Sequence, residues 1–87
     1  MNKLEELINE TVFTQEEWNI HKKVETNFQL QDLKYLLDIM LESGDISQEQ
    51  YTTACENADT IVEKYNKYDD YDWQINMKDA IYYILED

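Results

Sequence analysis

The sequence predicts an all-α fold, a small bundle of about four helices built around an αα-hairpin. The 87-residue chain has no proline and one glycine, whereas β-sandwiches and barrels need many tight turns. Its 43% hydrophobic content, including 13% aromatic residues, is enough to drive folding despite the charge. Apolar residues also recur at helical spacing. Because a chain of this length supports one core, we expect residues 1–87 to form a single domain.

The N-terminal third is predicted to form two helices. An apolar stripe at helical spacing indicates a first helix within residues 3–12. Thr14 and Glu17 have the spacing of a capping box, which predicts that a second helix begins near residue 15. A weak helical region then suggests a bend near residue 27, and leaves open whether residues 15–42 form one bent helix or two.

Residues 30–67 are predicted to form the αα-hairpin. Its first helix is leucine-rich and ends at Gly44, because glycine adopts the left-handed conformation at little cost. Ser47 and Gln50 form a second capping box. The helix that follows carries the most regular apolar stripe in the chain, and it includes Cys55. Residues 68–73 are expected to form a loop, with Asn76 capping a last helix.

The charge restricts the possible partners. Twenty acidic residues against seven lysines and no arginine give a net charge of −13. Direct binding to nucleic acid needs a basic patch, so it is not expected. No apolar run is long enough for a membrane span, and the N-terminus lacks the apolar stretch of a signal peptide. We therefore expect a cytoplasmic protein without membrane contact.

No catalytic or cofactor motif is present. His21 is the only histidine, and Cys55 lies on a core stripe, so neither a zinc site nor a reactive thiol is expected. An EF-hand loop starting at Asp70 would have Ile75 where glycine is needed and Ile81 where glutamate is needed. We expect no enzyme activity, no cofactor and no metal site, although weak divalent binding by the acids of residues 69–72 is left open.

The acids of the second hairpin helix define the candidate binding surface. At about 100° per residue, four of them lie within about 80° of one another, opposite the apolar stripe, on a line about 21 Å long. We call these four residues the acidic ridge: Glu49, Glu56, Asp59 and Glu63. Beyond them lies a second group, the acidic loop, in which aromatic residues could anchor a partner while acids steer it: Asp69, Asp70, Tyr71, Asp72 and Trp73.

Two interpretations of the ridge compete. It could be only the solvated face of an amphipathic helix. Surfaces that serve solubility usually mix signs at i and i+4, yet Glu6–Glu10 and Asp38–Glu42 place like charges there, and Glu63–Lys67 is a favourable exception. We therefore predict that the acids bind a basic surface of another protein that normally holds nucleic acid, and so mimic nucleic acid.

The composition is rich in Asn, Ile, Tyr, Lys and Glu, lacks Pro and Arg, and allows no intrachain disulfide. In this, and in its small size and acidity, the chain resembles the small inhibitors encoded by phages and mobile elements of low-GC bacteria, which include anti-CRISPR proteins and other DNA mimics. The resemblance covers the whole chain but is compositional, so it identifies no functional residue. It implies a bacterial host and a defence nuclease as target, for example a Cas9-type effector with channels lined by Arg and Lys.

The alternative function is that of a structural or regulatory helical subunit. Such a subunit would pair through apolar surface, either as a homodimer or with a partner helix. The residues that exceed what one small core can cover are Trp18, Tyr35, Leu36, Tyr82 and Tyr83. Ionic strength separates the two functions, because charge-driven binding weakens with salt and apolar pairing is nearly indifferent to it.

Overall fold

The computed structural model describes residues 2–86, apart from the side chains of Asn19 and His21. Over that range the chain forms five α-helices and one 3₁₀ helix, and it forms no β-strand, which confirms the predicted all-helical class. The elements in order are α1 (Lys3–Glu10), the 3₁₀ helix (Gln15–Asn19), α2 (His21–Ser43), α3 (Gln48–Glu56), α4 (Ala58–Tyr65) and α5 (Trp73–Leu85).

The second predicted helix is replaced by the 3₁₀ helix and the start of α2. Thr14 N–H donates to Glu17 Oε1 at 3.4 Å, as the capping box requires. The chain leaves helical geometry at Ile20, with φ −88° and ψ 81°, and α2 then runs uninterrupted through residue 27. No helix ends at residue 27, where the Asn27 side chain does not bond to its own backbone. Its Nδ2 instead donates to Ile8 O and Thr11 Oγ1, beside the end of α1.

The turn after α2 follows the predicted signals. Gly44 has φ +86° and ends the helix in the left-handed conformation, and Asp45 N–H donates to Met40 O at 2.9 Å. Gln50 N–H donates to Ser47 Oγ at 3.1 Å, while Ser47 N–H donates to Gln50 Oε1 at 2.9 Å. This capping box starts α3, and α2 contacts both α3 and α4.

The long helix predicted after Ser47 is divided in two at Asn57. This residue has φ −112° and ψ 25°, and its Nδ2 donates to Thr53 O at 2.8 Å. An asparagine side chain that binds the backbone of the preceding turn offers the chain an alternative to continued helix. The single straight helix assumed for the acidic ridge is therefore wrong.

The last helix begins earlier than predicted. Asp72, not Asn76, is its N-cap, and Asp72 Oδ1 accepts from Gln74 N–H at 2.8 Å. Asn76 is buried inside α5, where its Nδ2 donates to Asp70 O at 3.1 Å. Asp72 therefore belongs to the acidic loop and also caps α5, and Trp73, predicted as a loop residue, is the first residue of the helix.

One cluster of buried apolar side chains joins all five α-helices. The buried residues are Leu4 of α1, Leu30, Leu33, Leu36, Leu37 and Met40 of α2, Ile46 of the turn, Ala54 and Cys55 of α3, Ala58, Ile61 and Val62 of α4, and Met77, Ala80 and Ile81 of α5. Cys55 is thus the packed thiol that its stripe predicts, and burial raises its pKa.

Candidate protein-binding surface

Acidic side chains are exposed on every helix of the described chain. Of the aspartates and glutamates in residues 2–86 none is buried, and only Glu5 and Glu17 are half-buried. Burial is slight even at Asp32, where it raises the pKa of the carboxyl group. The charge therefore stands at the surface, where a partner can reach it.

The four acids of the acidic ridge are all exposed, but two helices carry them. Glu49 and Glu56 lie on α3, two turns apart, while Asp59 and Glu63 lie on α4, one turn apart. The break at Asn57 separates the two pairs. Each pair keeps a common helix face, but the arc calculated for one continuous helix does not apply to all four.

Two ridge acids form ion pairs within the chain. Lys3 Nζ lies 3.3 Å from Asp59 Oδ2, and Lys67 Nζ lies 3.9 Å from Glu63 Oε1. Burial acts to raise the Asp59 pKa, but the N–H of Thr60 and the ammonium of Lys3 outweigh it and lower the pKa overall. No ion pair involves Glu49 or Glu56 among the described side chains, so these two carry the uncompensated charge of the ridge.

The lysines are mostly engaged by their own chain. Lys34 pairs with Asp38 at 3.1 Å, and Lys23 pairs with Glu17, whose pKa it lowers. Lys64 lies over the ring of Tyr83, 4.2 Å from the centroid. Because so few lysines face so many acids, most of the exposed carboxylates in the described structure have no lysine partner.

The acidic loop presents one free aromatic side chain. Tyr71 is fully exposed, whereas Trp73 is half-buried and packs against the core. Asp70 Oδ1 accepts from Tyr71 N–H at 2.6 Å, and Asp72 is held at the start of α5. Asp69 is exposed beside them. Of the two predicted aromatic anchors, Tyr71 is available to a partner and Trp73 belongs largely to the fold.

A second exposed feature is a cluster of three aromatic rings that sequence reasoning largely missed. Phe13 meets Trp18 edge-on, with ring centroids 4.9 Å apart, and meets Phe28 at 5.8 Å. We call these three residues the aromatic cluster. Trp18 and Phe28 remain 55% and 45% exposed. Tyr35, Tyr82 and Tyr83 are also exposed as expected, but Leu36 is buried, which removes it from the predicted apolar surface.

Metal-binding groupings are absent from the part of the chain that is described. Within it, no three histidine, cysteine, aspartate or glutamate side chains lie close enough together to hold a metal ion. The expectation for the His21 imidazole lies outside the described side chains. Among the helices that the structure describes, none combines the length and apolar character needed to cross a membrane.

No protein-family model matches this chain, and no curated protein or solved structure is significantly similar to it. Its function must be inferred from the exposed charges, the exposed rings and their contacts.

Proposed function

We propose that this protein is a non-enzymatic acidic inhibitor that occupies the basic nucleic-acid-binding surface of another protein. The observation that carries the proposal is the exposure of its carboxylates, few of which have a lysine partner. In this proposal the target is a nucleic-acid-processing enzyme such as a CRISPR–Cas effector nuclease in a bacterial cytoplasm. The predicted αα-hairpin of residues 30–67 provides the scaffold.

Fixed spacing on helices makes the carboxylates suitable for this role. Glu49 and Glu56 are seven residues apart on α3, which corresponds to about 10 Å along the helix axis. This separation corresponds to about three phosphates along one nucleic-acid strand, at ~3.4 Å of axis each, so the two carboxylates offer a basic groove two fixed charges in register with every third phosphate. Binding would release the counterions of the groove and would be accelerated by electrostatic steering.

The predicted binding residues are not equivalent. Glu49, Glu56 and the acidic loop have no lysine partner in the described structure. A basic partner can therefore pair with these acids without displacing a lysine of this chain. Asp59 and Glu63 must first break their ion pairs with Lys3 and Lys67 before they can pair with a partner. Exposed ion pairs contribute only about 0–1 kcal/mol, so this exchange is inexpensive, but it makes these two acids the weaker contributors.

The decisive experiment compares two variants of equal net charge. The ridge variant combines Glu49→Gln, Glu56→Gln, Asp59→Asn and Glu63→Gln, and the control combines Glu6→Gln, Glu10→Gln, Glu16→Gln and Asp79→Asn, all at exposed positions. A Cas9-type nuclease with its guide RNA is the first probe, because its channels are lined by Arg and Lys. Binding rates and inhibition of DNA cleavage are measured at several salt concentrations.

We expect the native protein to inhibit cleavage in competition with DNA, and the ridge variant to associate at least tenfold more slowly than the control variant. Lysozyme serves as a basic protein without a nucleic-acid site. If lysozyme is bound as tightly as the nuclease, or if the two variants behave alike, charge alone explains the binding and the proposal fails. Proteins captured from a bacterial host at low salt and eluted by a salt gradient extend the test to other nucleic-acid enzymes.

A further inference from the structure

Helix α2 has apolar side chains on two opposite faces. Leu33 and Leu37 lie on the face that is buried in the core. On the other side Phe28, Tyr35 and Ile39 are 45%, 59% and 42% exposed. At about 100° per residue these three and the half-buried Val24 fall within about 60° of one another, along about 22 Å of helix. We call these four residues the outer stripe: Val24, Phe28, Tyr35 and Ile39.

The aromatic cluster extends one end of the outer stripe. Phe28 belongs to both, and its ring lies 5.8 Å from Phe13 and 6.4 Å from Trp18. A shallow groove lined by Val24, Glu25, Phe28 and Gln29 lies beside it. Gln31 lies between Phe28 and Tyr35 on this face, so the apolar side chains form two groups, Val24 and Phe28 with the aromatic cluster, and Tyr35 with Ile39. Apolar groups spaced along one helix face are typical anchors of a helix-binding site.

The charges around the outer stripe restrict its occupant. Glu25, Asp32, Asp38 and Glu42 lie along its edges and are exposed. Lys23 and Lys34, the α2 lysines that flank it, are already paired with Glu17 and Asp38. A second copy of the chain docked here would bring like carboxylates together, which is unfavourable. A segment with an apolar stripe flanked by Lys or Arg would satisfy both the apolar residues and the acids.

We propose that the outer stripe and the aromatic cluster bind a basic amphipathic helix of a partner protein. This inference rests on the proposed function in that the partner is basic, and it adds the apolar anchor of the interface. The mode is that of a helix laid against an apolar groove, with anchors at spacings of three and four residues. The aromatic cluster would hold one end of the partner helix, and Tyr35 and Ile39 the other.

The probe is a labelled 18-residue peptide of leucine and lysine whose leucines share one helical face. A peptide of identical composition with its leucines scattered around the helix is its control. Fluorescence anisotropy is measured with the full-length protein at 0.15 M and 0.5 M NaCl. We expect the amphipathic peptide to bind at least tenfold more tightly than the scattered one, with the preference retained at 0.5 M salt, because charge is screened there and apolar contact is not.

Three variants connect this preference to the outer stripe. The combination Phe28→Ser, Tyr35→Ser and Ile39→Ser is expected to remove it. The matched control, Ile75→Ser, Tyr82→Ser and Tyr83→Ser, replaces three exposed apolar residues of α5 that lie outside the acidic ridge, the acidic loop and the outer stripe, and it should retain the preference within twofold. Because Phe28 also contacts Phe13 and Trp18, a milder variant, Tyr35→Gln with Ile39→Gln, leaves the aromatic cluster intact and should still lower the preference at least threefold.

Equal binding of the two peptides would overturn the inference, as would an unchanged preference in both stripe variants. A native dimer that the Tyr35→Gln and Ile39→Gln variant dissociates would also overturn it, since the occupant would then be a second copy. These results are independent of the ridge experiment. Loss of the peptide preference with retained ridge-dependent inhibition rejects only the docking site, whereas a retained preference without ridge-dependent inhibition rejects only the proposed function.

Discussion

The phenol of Tyr51 on α3 donates a 2.7 Å hydrogen bond to Asp38 Oδ1 on α2. The other oxygen of that carboxylate accepts from Lys34 Nζ at 3.1 Å. The aspartate is thus held by its own helix on one side and by the neighbouring helix on the other. This contact joins the two helices at the edge of the core, next to the buried Cys55.

Removing the phenol oxygen should weaken this junction. Tyr51→Phe is expected to lower the free energy of unfolding by about 1 kcal/mol, the usual net contribution of one hydrogen bond. Urea denaturation measures the change. Tyr71→Phe, at a fully exposed ring, is the control and should have almost no effect. Equal destabilisation by the two substitutions would show that the Tyr51 hydrogen bond does not stabilise the fold.

The same tyrosine should make the protein sensitive to alkaline pH. Burial raises the pKa of Tyr51, and the hydrogen bond to Asp38 raises it further. The folded state therefore retains a proton that the unfolded chain releases near pH 10, so its stabilising effect is complete below pH 10 and is lost as the pH rises above that value.

We expect Tyr51→Phe to lose less stability than the native protein between pH 10 and pH 11.5, as measured by urea midpoints at each pH. Burial also raises the pKa of Tyr65, which is present in both proteins. Burial raises the pKa of Cys55 as well, but the bond to Tyr51 acts to lower it, so the comparison is made in a Cys55→Ala background to isolate Tyr51. Parallel curves for the two proteins would contradict the prediction.

A buried amide fixes the end of α1 to α2. Asn27 is only 3% exposed, and its Nδ2 donates to Ile8 O at 3.1 Å and to Thr11 Oγ1 at 3.0 Å. Asn27→Leu leaves these acceptors without their donor and should lower the free energy of unfolding by about 1–3 kcal/mol.

In a double-mutant cycle of Asn27→Leu with Thr11→Val, we expect a coupling energy of about 0.5 kcal/mol or more by chemical denaturation. The exposed Gln29–Asn66 pair provides the reference cycle and should couple less strongly. Equal coupling energies in the two cycles would show that burial of Asn27 does not strengthen its interaction with Thr11.

Most features that depend on neighbours in sequence could be predicted, except for the Asp72 cap and the break at Asn57, whereas features that depend on tertiary contacts could not. The Thr14 and Ser47 caps and the Gly44 stop were all found where expected, because donor and acceptor lie within a few residues of each other. Asn27 and Asn57 have the same side chain, yet the first is tied to another helix and α2 continues, while the second bonds to its own preceding turn and the helix ends. The sequence does not reveal which bond each amide will form.

The candidate surface also contains both kinds of feature: some follow from the sequence pattern, and others depend on how the helices pack. Exposure of Glu49 and Glu56 follows from helical periodicity, which the structure retains within α3. The Lys3–Asp59 ion pair joins residues 56 positions apart and depends on how α1 packs on α4. The aromatic cluster likewise requires the 3₁₀ segment to fold back onto α2. The signal for it was an apolar residue, Phe28, on the face of α2 opposite its leucines.

The turn at Gly44 should tolerate asparagine better than alanine. Its φ of +86° lies in the left-handed region, and a Cβ at this position would meet no atom within 4 Å, so the cost of substitution comes from the backbone alone. Gly44→Ala should lower the free energy of unfolding by about 1 kcal/mol, and Gly44→Asn by less, because asparagine enters this region more readily. Urea denaturation of both variants tests the order. If Gly44→Ala leaves the free energy of unfolding unchanged, the turn does not require a residue that favours the left-handed conformation.

The unpaired negative charge of Glu56 should lower the free energy of unfolding, and added salt should reduce this effect. Glu56 lies in the last turn of α3, where a negative charge opposes that helix's dipole, and no lysine pairs with it in the described structure. The N-terminus of α4 follows at Ala58 and offsets part of this effect. Glu56→Gln should therefore raise the free energy of unfolding by about 0.3 kcal/mol at low ionic strength, and thermal unfolding at 20 mM NaCl measures the gain. The gain should largely disappear at 0.5 M NaCl, where the screening length falls below about 5 Å.

Glu63→Gln is the matched control, since Glu63 has Lys67 as a partner and its neutralisation should bring no such gain. If both substitutions raise the melting temperature equally, the stabilisation reflects the overall charge of −13 and not the unpaired position of Glu56.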